Sequence, residues 1–121
     1  MYSDLIGIPY KIHGRDESGL DCFGLIWLIA KRVGRPIKDP IYRGFDPSLM
    51  KLAEGIGLIK IDTFEIGCVL EILKDNRLHL GYSIDKERII HCTHNEGVIV
   101  ENISLYNVKG YYKFGDNYGN N

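Results

Sequence analysis

The stretch CFGLIWLIAKRV, residues 22–33, restricts the fold more than any other. As a helix it carries Phe23, Leu25, Ile26, Leu28 and Ile29 on all of its sides, so it belongs in the centre of a domain. Asp21 or Ser18 can cap its start, Lys31 and Arg32 suit the negative end of its dipole, and Gly34 and Pro36 stop it. Trp27 reads as core as well. Packing alone does not ask for the way the run begins, with the Cys22 thiol directly after the Asp21 carboxylate.

What surrounds this helix changes character along the chain. Leu5 to Gly19, rich in Gly, Pro and charge, reads as a short helical turn and then an irregular loop. Pro36 to Asp46 is a second loop, and a shorter helix is expected from Pro47 to Glu54, with Pro47 at its first position and Gly55 ending it. Then the period switches. CVLEILK, RLHLGYSI, RIIHC, GVIVENI and GYYKFG are short β-branched or aromatic runs separated by Gly, Asn and Asp. Helices first and strands afterwards predict an α+β domain, an antiparallel meander packed on the central helix. With 121 residues there is room for one core, so residues 1–116 are read as a single domain. The tail GDNYGNN has nothing to bury, and 117–121 are expected to be mobile.

Several function classes fall away. A formal net charge of -1 makes no case for nucleic acid or an anionic membrane as partner. No run of about 18 apolar residues exists to span a bilayer. MYSDLIGIPYK lacks the basic and apolar regions of a signal peptide, so synthesis in the cytoplasm is the default. Cys22, Cys68 and Cys92 show no CxxC spacing, against both a disulfide framework and a cysteine zinc site. Cys68 and Cys92 read as core. His79, His91 and His94 are metal-ligand types, but no carboxylate stands at ligand spacing to them; neither metal nor cofactor is expected.

Cys22 at the first turn of a helix sits where free N–H groups and the helix dipole favour a thiolate, and where the same N–H groups can receive an oxyanion. The competing reading is a buried structural thiol. A nucleophile also needs a base. In RLHLGYSI, Leu78, Leu80 and Tyr82 take one face and His79 the other, with Gly81 and Ser83; His91 closes the next strand. A two-residue turn at Asp85-Lys86 would oppose His79 with Cys92 and send His91 to the other face. A three-residue loop, Ile84-Asp85-Lys86, sets His79 opposite His91, and that loop or a five-residue one is expected. The result is the logic of thiol, base and orienting group: Cys22, His79, His91.

These residues resemble the NlpC/p60 cysteine peptidases, a small papain-like group that cuts peptidoglycan stem peptides. GIPYKIHGRDESGLDCFGLIWL is similar to the family's nucleophile block, and HLGYSIDKERIIHCTHNEGVIV to its histidine block, together spanning Ile6 to Val100. The resemblance implies Cys22 as nucleophile, His79 as general base and His91 as the residue that orients it. It implies that Tyr10 lines the site near the scissile carbonyl, that Asp21 serves structure and substrate binding, and that Phe23 stands where many members use serine to recognise the amino end of the stem peptide. An aromatic there is similar to the phage-tail branch, and His13 replaces a loop glycine. The implied fold is α+β. The implied function is a cell-wall endopeptidase acting on peptidoglycan, phage- or prophage-encoded, with tail proteins as partners and the virion or cell wall as destination. A binding-only tail protein and an amidase or acyltransferase on another amide or ester remain open.

Overall fold

The structure, a computed structural model, describes residues 2–39, 55–74 and 77–115. The expected helix Pro47–Glu54 and the tail 117–121 lie outside the described residues. Residues 55 and 56 are helical, so Gly55 is not itself a helix stop.

The central helix, α1, runs from Cys22 to Arg32 as read. Of the two possible caps, Asp21 serves: its Oδ1 accepts the Gly24 amide at 2.8 Å. The Ser18 amide and hydroxyl turn instead to Asp16. At the other end Gly34 takes φ +80, a left-handed angle that suits glycine, and the Arg35 amide returns to the Ala30 carbonyl. Arg32, in the last turn, forms a two-pronged pair with Asp4 at 2.7 and 2.8 Å. Leu25, Ile26, Ile29 and Ala30 are fully buried, as an apolar helix requires. Trp27 departs from expectation: it is only partly buried, at the rim of the core, with Lys31 Nζ 4.6 Å from its ring centroid. An amphipathic indole can leave one edge in solvent.

Before the helix, the expected irregular loop contains two paired strands of two residues, β1 (Arg15–Asp16) and β2 (Gly19–Leu20). Two residues carry no readable period, which is why the pattern hid them. After the helix come β3 (Leu58–Ile61), β4 (Val69–Lys74), β5 (Arg77–Ser83), β6 (Arg88–Thr93), β7 (Gly97–Asn102) and β8 (Asn107–Phe114).

The sheet order is β3-β8-β4-β5-β6-β7. Every neighbouring pair is antiparallel. β4 to β7 form the expected meander, but β8 returns to the far side of β4 and β3 pairs outside it. β3 escaped the pattern because it is an edge strand whose two middle residues, Ile59 and Lys60, are both exposed. One face of the sheet places Val69, Leu80, Tyr82, Ile90, Cys92, Val98 and Tyr112 in one core with α1. The other face carries a second, smaller cluster of Cys68, Leu70, Ile72 and Ile89, flanked by Phe64, Tyr106, Val108 and Tyr111. A sheet buried on both faces explains why CVLEILK reads as a nearly continuous apolar run. Cys68 and Cys92 are buried, as expected of core thiols.

Candidate active site

The site is assembled on the loop that delivers the chain into α1. Asp21 is 4 % exposed. Its Oδ1 accepts the Gly24 amide and the Arg15 guanidinium, and its Oδ2 accepts the His13 amide at 2.8 Å. Arg15 reaches on to the Gly14 carbonyl and to Asp39. One buried carboxylate thus caps the helix, closes the loop and anchors a guanidinium. Of the two tasks expected of Asp21, these contacts assign the structural one.

Capping leaves the first two helix amides free of intrahelical partners. Those amides, of Cys22 and Phe23, are directed at the Cys22 sulfur, and the Leu80 amide joins them from β5. The ladder shows why Leu80 is available. β5 and β6 pair from Ser83↔Ile89 to Gly81↔His91 and then part. Beyond that point the peptide group that links His79 to Leu80 donates to the thiol. The Cys22 sulfur therefore meets the peptide group between His79 and Leu80.

Burial, aided by the Asp21 charge, pushes the Cys22 thiol up to about 12 despite the three amides. Desolvation thus acts against the helix terminus. Cys92, one strand over, donates its thiol to the Leu20 carbonyl at 3.0 Å and is likewise pushed up to about 12 by burial. It is core, as expected, and it also holds the backbone just ahead of Cys22.

His79 Nε2 and His91 Nδ1 stand 3.0 Å apart, rings inclined at 67°. The three-residue loop Ile84-Asp85-Lys86 is not observed. Five residues, 84–88, separate the last ladder pair, and Asp85 builds the turn by accepting the amides of Glu87 and Arg88 and the Arg88 guanidinium. His91 consequently opposes Gly81, with His79 two residues along on the same face. Behind it, His91 Nε2 lies 2.7 Å from Glu101 Oε1, to which the Tyr106 hydroxyl also donates. Burial pushes His79 down to about 3. Burial lowers His91 too, although Glu101 opposes it, while the bonds from Tyr106 and His91 hold Glu101 below the usual carboxylate range. Burial thus opposes ionisation of the thiol and protonation of both imidazoles.

Tyr10 is half-buried and bridges to Leu20. Burial raises its hydroxyl and the Asp21 charge adds to the effect, which places the phenol beside the loop that enters α1. Its ring meets that of His94 at 4.9 Å between centroids. Phe23 departs from the expectation of a substrate contact. It is 7 % exposed and packed in the core, because the second helix position turns inward.

Sequence reasoning missed Glu101, Tyr106 and His94. A signal for Glu101 existed: it is the one charge within the apolar run GVIVENI. Its alignment with His91 needs the β6–β7 register. His94 lies in the turn after β6, with its ring turned onto Tyr10.

No family model matches the chain, and no curated protein does. Solved structures do. The NlpC/p60 domain of the peptidoglycan hydrolase SagA is 22% identical, with a TM-score of 0.66, the match covering 92% of this chain and 91% of that one. An NlpC/p60 family protein from Bacillus cereus is 19% identical, with a TM-score of 0.65, over 91% of this chain and 36% of that one. At these identities the likeness is one of fold, and the α+β architecture is that of the NlpC/p60 domains.

Proposed function

We propose that the chain is a cysteine endopeptidase that hydrolyses amide bonds in bacterial peptidoglycan stem peptides. The observation that carries this reading is the convergence at the start of α1: the Cys22 thiol against the His79–Leu80 peptide group, with His79 backed by His91. The fold shared with a domain of a peptidoglycan hydrolase supports the choice of substrate.

With thiol and imidazole both neutral at rest, His79 acts as a general base during attack. It takes the thiol proton as Cys22 sulfur bonds to the scissile carbonyl carbon. The carbonyl oxygen becomes an oxyanion, and the free amides of the first helix turn are donors suited to it. The C–N bond then breaks, the amine leaves with the proton from His79, and an acyl-enzyme remains. Water, deprotonated by His79, adds to the thioester carbonyl, and the thiolate leaves and recovers the proton. Tyr10, at the nucleophile loop, is positioned to contact the peptide beside the reacting carbonyl.

The aromatic Phe23 after the nucleophile supports a phage or prophage origin, with synthesis in the cytoplasm, tail proteins as partners and delivery to the wall on the virion. Incubation with defined muropeptides, read by mass spectrometry, tests the chemistry. Cleaved stem peptides with wild type and none with Cys22→Ala are expected. Turnover of small esters alone would replace the endopeptidase by an acyltransferase or esterase. Binding without turnover, unchanged by Cys22→Ala, would replace it by a binding protein. Presence of the chain in purified phage particles tests the tail assignment.

A further inference from the structure

Glu101 has no part in the chemistry just described, yet its position is tied to it. In the ladders His91 opposes Gly81 on one side and Ile99 on the other. His79 stands two residues before Gly81, and Glu101 two residues after Ile99. Because β5 and β7 run in the same direction, the three side chains form one straight diagonal across β5, β6 and β7, each within reach of the next. Gly81, opposite His91, carries no side chain to interrupt the line.

Resting on the peptidase reading, we propose that Glu101 is a positioning residue: through His91 it sets the tautomer of His79 that leaves Nδ1 unprotonated as the base. The argument follows the hydrogens. A Tyr106 hydroxyl that gives its proton to Glu101 needs an accepting carboxylate, and an ionised carboxylate only accepts. His91 Nε2, 2.7 Å from that carboxylate, must then carry a hydrogen. A neutral His91 has only one, so its Nδ1 is an acceptor. His79 Nε2, 3.0 Å from it, must donate, and the Nδ1 of a neutral His79 is left with a lone pair. Reversing the Glu101–His91 bond reverses the His91–His79 bond with it, and His79 Nδ1 would then present a hydrogen and could not take the thiol proton. Burial supports the chain, since His91 is wholly enclosed and has no water with which to change tautomer.

The test is Glu101→Gln, which keeps shape but offers an NH₂ where the carboxylate only accepted. Long-range imidazole ¹⁵N–¹H spectra of the resting protein give the tautomers without need of substrate. Wild type is expected to show His79 protonated at Nε2; Glu101→Gln is expected to populate the Nδ1–H form. On muropeptides kcat should fall about 10–100-fold with KM nearly unchanged, the range for removal of a partner behind a functional histidine. Tyr106→Phe keeps the ring against His91 and should shift the tautomers in the same direction by less. A wild-type His79 tautomer in Glu101→Gln, or a wild-type His79 protonated at Nδ1, would overturn the inference. The spectra also separate the two readings: absent turnover with the expected tautomers sinks the peptidase alone, and full turnover with unmoved tautomers sinks the role of Glu101 alone.

Discussion

His79 and His91 touch, Nε2 to Nδ1 at 3.0 Å, although they are not opposite each other in the sheet. The contact is a diagonal one, and it fills both polar atoms of an imidazole that is wholly buried, since Nε2 of His91 goes to Glu101. A buried group so engaged is costly to remove, because its former partners are left unpaired. His91→Leu should therefore lower both activity and stability. We expect kcat on stem peptides to drop at least ~10–100-fold and the protein to lose about 1–3 kcal/mol in urea unfolding. Retained activity in a folded His91→Leu would show that His79 needs no orienting partner.

The titration of the site gives a second expectation. His79 is held down to about 3 and His91 is lowered as well, both from an ordinary imidazole value of 6.5. Below pH 6.5 the unfolded chain takes up protons that the folded site refuses, so stability falls as pH falls through that point. Cys22 and Cys92 are raised from 9.0 to about 12, so above pH 9 the unfolded chain loses protons that the folded one keeps, and stability falls again. Tm against pH should be flat between roughly 6.5 and 9 and decline on both sides. Cys22→Ala should soften the alkaline decline. Iodoacetamide should alkylate Cys22 slowly at neutral pH and faster as pH rises above 9; a plateau of rapid reaction near neutrality would mean a resting thiolate and would contradict the neutral pair.

What the sequence disclosed and what it hid divide along physical lines. Cys22, His79 and His91 were legible because reactive side chains at a helix start and on strand faces are unusual in otherwise apolar runs, and because face parity needs only a count of residues. A five-residue and a three-residue loop give the same parity, so a count of residues admits both; the hydrogen bonds of Asp85 decide between them. Phe23 was misplaced because position after the nucleophile says nothing about which way the helix turns. Glu101 and the β8–β4 pairing depend on register and on a crossover, and neither leaves a local pattern. The Cys22 thiol is the plainest case. A helix N-terminus can be seen in a sequence, but the burial that opposes it cannot.

Asp21 concentrates three tasks in one side chain, so its replacement should be felt twice. Asp21→Asn keeps the acceptor for the Gly24 amide but removes the charge beside Arg15 and offers NH₂ toward the His13 amide. Asp21→Ala removes the cap as well. A lost N-cap alone costs about 0.5–2 kcal/mol. The order of stability in denaturant should be wild type, Asp21→Asn, Asp21→Ala, with turnover falling in parallel as the nucleophile loop loosens. Equal stability of the two variants would mean that the cap contributes nothing beyond the charge.

Gly24 separates local propensity from packing. In a helix interior alanine is ordinarily better than glycine by about 1 kcal/mol. At Gly24, however, an added Cβ would lie 2.1 Å from the Gly14 carbonyl oxygen, 2.9 Å from Arg15 Nη1 and 3.3 Å from Asp21 Oδ1. The first of these is backbone and cannot swing aside, so the loop must move off the helix and take the Asp21 bonds with it. Gly24→Ala should lose about 1–3 kcal/mol, as overpacking does, and most of its turnover, since the shift falls within two residues of Cys22. Gly34→Ala is the control. Its Cβ meets nothing within 4 Å, and only the left-handed φ of +80 is strained. It should cost about 1–2 kcal/mol and leave turnover intact. A Gly24→Ala protein as stable and active as wild type would mean that the loop does not rest on α1 as described, and the organisation of the site around Asp21 would fall with it.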